Sequence, residues 1–185
     1  MNRFLFVTAV AAALAACGSG DGNVPAGCLD TLTGGGTAVS VDSGACPGCT
    51  VTDANRSIDA SADSHALIGY DTSGGEVLMR ATAQPGVVFP AGNFAGALVQ
   101  FPRRQSGGFS NVGISIRTYL NGVLQERVTS TQTTIGNVDG AGAITLYGGE
   151  TGQAFDAVEA SMNLGGGPAT VAVRLLRRPL TGTDA

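Results

Sequence analysis

Residues 111–129 read Asn-Val-Gly-Ile-Ser-Ile-Arg-Thr-Tyr-Leu-Asn-Gly-Val-Leu-Gln-Glu-Arg-Val-Thr. At the centre stand Asn121 and Gly122, with β-branched and apolar runs on either side. Asn-Gly is the preferred pair for a two-residue type I′ turn, because both residues tolerate a positive φ. The stretch therefore predicts a β-hairpin with strands over 111–120 and 123–129. A two-residue loop sets the register. It places Leu120 opposite Val123, Tyr119 opposite Leu124, Thr118 opposite Gln125 and Arg117 opposite Glu126. The last pair sets opposite charges across the ladder, a contribution of about 0.2–1 kcal/mol.

Outward from this hairpin the same texture continues. Short β-branched and apolar runs at 38–41, 66–69, 76–82, 96–101, 143–147, 157–162 and 170–176 are separated by Gly-rich punctuation. None has the 3.6-residue period of a long amphipathic helix; the one helical turn expected is 54–58. Asp139-Gly140 and Gly165-Gly166-Gly167-Pro168 are further turn signals. The chain has 29 Gly and only 13 % charged residues, a balance suited to an extracellular β protein with many turns. The expected fold class is all-β, an antiparallel sandwich or barrel, in one domain.

The N-terminus carries different information. Met1-Asn2-Arg3 is a short positive segment, followed by an apolar run over 4–14 that is too short to span a bilayer. It ends in Leu14-Ala15-Ala16-Cys17. This resembles the lipobox of bacterial lipoproteins, in which the Cys after the cleavage site is acylated with palmitate-type chains. The resemblance implies a signal peptide over 1–16, lipidation at Cys17 and stable anchoring by several acyl chains. Gly18 stands where Asp would mark inner-membrane retention in a Gram-negative host, so the implied location is the outer membrane there. Residues 17–36 are expected as the lipidated Cys and a Gly-rich tether, 37–178 as the β domain and 179–185 as a tail. All ten basic residues are Arg, and removal of Arg3 with the signal peptide leaves nine against 14 acidic residues, a net charge of −5. An acidic, Lys-free chain is a poor partner for nucleic acid.

Three motifs point to a known family. Cys46-Pro-Gly-Cys49-Thr-Val-Thr followed by Asn55-Arg-Ser-Ile-Asp59-Ala-Ser-Ala-Asp63 is one. The others are Ile114-Ser-Ile-Arg-Thr-Tyr119-Leu-Asn-Gly-Val-Leu-Gln-Glu and Phe155-Asp156-Ala-Val158-Glu159. In this order they resemble a β-sandwich domain of bacterial surface proteins, similar to distant relatives of the discoidin, galactose-binding-like fold. The likeness runs over about 46–177. It departs at Ala60, where the pattern has Gly, and after Phe155, where Glu-Ala-Ser-Met replaces an Ile-rich strand. It implies a single jelly-roll-like β-sandwich at a cell surface, without a defined activity.

Candidate chemistry is sparse. Besides Cys17 the chain holds Cys28, Cys46 and Cys49. Cys46-Pro-Gly-Cys49 has the spacing of redox motifs and zinc half-sites, but a β-branched run follows it where thiolate activation wants a helix N-terminus. Zinc wants four N/S ligands. A structural disulfide suits an exported protein, as Cys46–Cys49 or as Cys28 with either. His65 is the single His, in Asp63-Ser64-His65; consecutive residues in an extended segment cannot form a catalytic set. Asp59, Ser61 and Asp63 have the alternate-residue oxygen spacing of a loop that wraps Ca²⁺, in competition with a solvated Asx turn. Asp156 and Glu159, three apart on an expected strand, point to opposite faces. Arg103 and Arg104 in a turn form a site for an acidic ligand, or a solvated loop tip.

No catalytic residues are assigned. The expected function is that of a membrane-anchored, non-catalytic surface, adhesion or structural envelope module. The second reading is a carbohydrate-binding module, weakened by the absence of Trp and the presence of only Tyr70, Tyr119 and Tyr147; a hydrolase is the third. The expected partners are the lipid bilayer, through acylated Cys17, and a glycan or envelope protein. Structural calcium is the one cofactor entertained. A binding site is expected on loops at one end, with the 53–65 loop and Arg103–Arg104 as its places.

Overall fold

The computed structural model describes residues 30–31, 38–59, 64–71, 73–100, 111–133, 144–165 and 169–179. Cys17, Cys28, Ser61, Asp63, Arg103, Arg104 and the Asp139-Gly140 turn lie outside them. The strands are β1 (Asp30–Thr31), β2 (Ala38–Ala45), β3 (Thr50–Thr52), β4 (Ala66–Tyr70), β5 (Gly75–Thr82), β6 (Asn93–Gln100), β7 (Asn111–Leu120), β8 (Val123–Thr133), β9 (Ile144–Glu150), β10 (Ala157–Gly165) and β11 (Ala169–Pro179), with a 3-10 turn over Ala54–Ile58. They form two wholly antiparallel sheets. One runs β3-β4-β11-β6-β9, with β1 also on β11; the other runs β2-β5-β10-β7-β8. The fold is an all-β sandwich in a single domain.

The core between the sheets follows from period-two alternation. Inward positions are Ile68 and Tyr70 on β4, Val77, Met79 and Ala81 on β5, Ile114 and Ile116 on β7, Met162 and Leu164 on β10, and Val171, Val173 and Leu175 on β11, all buried. The buried Tyr70 hydroxyl donates to the Met162 carbonyl at 3.0 Å. Burial, with the nearby Glu76 charge adding to it, pushes its phenol well above the usual tyrosine range. The folded state thus keeps a proton that the unfolded chain gives up near pH ~10. Stability is therefore expected to fall as the pH rises above that value. Tyr70→Phe removes this alkaline loss, and urea unfolding at pH 8 and pH 11 checks it.

The hairpin forms as its sequence dictates: Asn121 and Gly122 have φ of 51° and 78°, both left-handed as type I′ requires. Leu120 faces Val123 and Tyr119 faces Leu124. Beyond that the expected register is corrected. Irregularities between Thr118 and Tyr119 and between Ile116 and Arg117 put Thr118 opposite Glu126 and Arg117 opposite Arg127. Bulges of this kind re-aim side chains. Glu126, freed from Arg117, instead accepts from the amides of Gly152 and Gln153 at 3.1 and 3.2 Å.

Two strands were not anticipated. β3 and β1 are too short to show alternation; β1 pairs with Leu176 and Arg177 and lies inside the stretch read as tether. β10 and β11, on either side of the turn signal at 165–168, lie in different sheets; residues 166–168 themselves lie outside the described residues.

Candidate functional site

On β10, Val158, Ala160, Met162 and Leu164 enter the core, so Ala157, Glu159, Ser161 and Asn163 lie on the outer face of the five-stranded sheet. β10 sits between β5 and β7, and register puts Arg80 on one side of Glu159 and Arg117 on the other. Arg80 donates from Nε and Nη2 to Glu159 Oε2 at 2.9 and 2.6 Å. Arg117 Nη1 donates to Oε1 at 3.1 Å, and the Tyr119 hydroxyl donates to the same oxygen at 2.9 Å. Glu159 is only 2 % exposed. A buried carboxylate persists when it is paired and hydrogen-bonded on both oxygens, and this one is.

The network extends along the face. The Arg80 guanidinium carbon lies 3.7 Å from the Tyr119 ring centroid, a cation–π contact. Partial burial works against the Arg80 charge, but hydrogen bonds to Glu159 and its attraction outweigh it and hold the guanidinium above its usual range. Arg117 Nη2 lies 3.9 Å from Glu76 Oε1, and the Ser161 hydroxyl donates to that oxygen. Two polar atoms on this face are buried and without a hydrogen-bond partner: Ser115 Oγ and Arg117 Nε. Arg127, exposed on β8, faces Arg117 directly, an arrangement of like charges that costs stability.

The residues singled out in the sequence fall elsewhere. Cys46 and Cys49 form a disulfide across the Pro47-Gly48 turn. His65 is exposed, just before β4. Asp59 accepts a hydrogen bond from the Ser64 hydroxyl. Among the described residues no group of three His, Cys, Asp or Glu is placed to hold a metal ion. Asp156 precedes β10 and accepts at Oδ2 from the Asn121 amide at 2.8 Å, clamping the hairpin tip; no hydrogen bond joins it to Glu159. The sheet-face array, built around Glu159 and not on the loops, was missed. Its one trace in the sequence is the Glu-Ala-Ser-Met departure at 159–162, polar residues alternating with apolar ones in a central strand.

No protein-family model matches the chain, and no curated protein sequence matches it. Solved structures similar to it have low sequence identity. The enzymatically active domain of bacteriophage CBA120 tailspike protein 4 is 12 % identical with a TM-score of 0.46, over 80 % of this chain, which spans only 20 % of that one. A family 29 carbohydrate-binding module is 12 % identical with a TM-score of 0.41, over 82 % of this chain and 88 % of its own. A family 32 module of C. perfringens NanJ, in complex with galactose, is 11 % identical with a TM-score of 0.40, over 75 % and 93 %.

Proposed function

We propose that this protein binds a glycan on the outer face of the β2-β5-β10-β7-β8 sheet, as a non-catalytic module held at the cell envelope by acylated Cys17. The observation that carries the reading is the fixed polar array around Glu159, whose Arg80, Arg117 and Glu76 side chains reach the surface at 32, 22 and 35 % exposure. Sugar hydroxyls both donate and accept, so one sugar ring suits a face that presents guanidinium N–H groups and a carboxylate side by side. The groups are preorganised: Arg117 is held by Glu159 and Glu76, and preorganisation lowers the entropic cost of binding. Arg127 beside Arg117 adds positive charge without an acidic partner of its own among the described residues, which suits a sugar carrying a carboxylate or sulfate. Both oxygens of Glu159 are occupied, so this carboxylate, the one deeply buried among the described residues, supports binding and is not a free base.

Purified protein tested on arrays of neutral and acidic glycans is expected to select acidic ones. Arg127→Ala, at an exposed position, should weaken that binding roughly tenfold, about 1.4 kcal/mol, with thermal stability unchanged or slightly raised by relief of the Arg117–Arg127 repulsion. Binding of no glycan, or of acidic glycans equally by wild type, Arg127→Ala and Arg117→Ala, overturns the reading.

A further inference from the structure

We infer that the end of the sandwich bearing the β7–β8 hairpin tip docks on the surface of the bilayer, through Val87, Val88, Val123 and Leu124. These are 42, 50, 64 and 53 % exposed, and they are four of the six large apolar residues exposed among the described residues. Scattered apolar residues are ordinary on a protein surface; these four gather at one end. The Ala83 amide donates to the Asp156 carbonyl and the Asn121 amide to Asp156 Oδ2, both at 2.8 Å. The loop before β6, which carries Val87 and Val88, is thus tied to the hairpin tip through Asp156. Phe89 and Phe155 exchange two backbone hydrogen bonds at the same end.

The first described strand, β1, starts at this end. β11 runs toward it, since its last residue, Pro179, pairs with Asn93, whose carbonyl accepts from the Thr151 amide. β1 is antiparallel to β11, with Asp30 opposite Arg177 and Thr31 opposite Leu176. β1 therefore begins near the hairpin-tip end and runs away from it. Thirteen residues lead from Cys17 to Asp30, a covalent reach of about 45 Å at most. The inference rests on acylation of Cys17, as proposed above, and adds which end meets the membrane. An anchor on so short a lead raises the local concentration of that end at the bilayer, so that even weak apolar contacts are populated. Glu126, Glu150 and Asp156 lie at this end, so a zwitterionic surface suits it better than an anionic one.

The chain has no Trp, so a single introduced Trp reports its own surroundings. Full-length protein, purified from the membrane fraction and shown by mass to be acylated, is reconstituted in phosphatidylcholine vesicles with or without brominated acyl chains. Val88→Trp and Val123→Trp are expected to emit at shorter wavelength and to be quenched by the brominated lipid at least twofold more than Leu146→Trp. Leu146 is 41 % exposed on β9, away from this end. Acylated protein with equal quenching at all three positions overturns the docking and leaves the anchor standing. A blue shift without lipid quenching shows a second protein copy on the patch and overturns it too. A chain that carries no acyl group, or a Cys17→Ser variant that stays on the membrane like wild type, overturns anchor and docking together.

Discussion

Glu159→Ala is expected to destabilise the protein by about 3–5 kcal/mol, because removing one partner of a buried ion pair leaves the other charges uncompensated. Here two guanidiniums lose their counter-charge at once. Arg80 donates two hydrogen bonds to Oε2 of Glu159, and Arg117 has its closer carboxylate there. The Tyr119 hydroxyl, on a residue 8 % exposed, loses its acceptor as well. Against a typical total of about 5–15 kcal/mol, this is a large fraction. Urea unfolding measures it. Two controls separate charge from packing. Glu159→Gln keeps the shape and should recover part of the loss. A triple variant with Glu159, Arg80 and Arg117 all changed to Met should be more stable than Glu159→Ala, since a well-packed apolar replacement of a buried ionic cluster is often neutral or better. A Glu159→Ala variant within about 0.5 kcal/mol of wild type, the range of ordinary surface changes, would show that the array does not hold the sheet face.

The second large effect is at Phe155, which is fully buried. Its ring lies 5.2 Å from that of Phe89, at an interplanar angle of 49°. Phe155→Ala is expected to cost about 3–5 kcal/mol, the lost transfer energy plus the cavity left behind. The pair also contributes about 0.5–1.5 kcal/mol beyond area burial, through its tilted geometry. Phe89 and Phe155 close the hairpin-tip end of the sandwich, each amide donating to the other's carbonyl at 2.7 and 2.9 Å. Loss of the ring should therefore speed amide exchange at Phe89 and Phe155 before it affects Val173 or Met79 in the middle of the core. Leu124→Ala, at a residue 53 % exposed, should change stability by less than about 0.5 kcal/mol. Equal losses at Phe155 and Leu124 would contradict this picture of the core.

Much of the fold was legible in the sequence, and the reason is locality. The Asn121-Gly122 turn needs two residues that accept positive φ, and only the local chain decides that. The 3-10 turn at Ala54–Ile58 and the strand Asn111–Leu120 fall where the sequence places them, because each shows its own pattern within a dozen residues. The sequence left the disulfide open between Cys46–Cys49 and Cys28 with either; the structure joins Cys46 to Cys49. β1 and β3 were not legible, since two or three residues cannot display a period.

The site was the reverse case. Arg117 was paired on paper with Glu126, four residues beyond the turn. Bulges on β8 moved Glu126 to the Gly152 and Gln153 amides and left Arg117 to Glu159, 42 residues away. Arg80 meets the same carboxylate across 79 residues. The sequence by itself determined that the chain is built of short strands, where its decisive hairpin turns, and that its charge and lack of Lys disfavour nucleic acid. Only the tertiary structure decided that β10 lies between β5 and β7. Strand order in a sandwich is chosen by which apolar faces close the core together, a global condition that no local pattern encodes. That order, through the fixed side-chain alternation of neighbouring strands, is what brings Arg80, Glu159, Arg117 and Tyr119 onto one face.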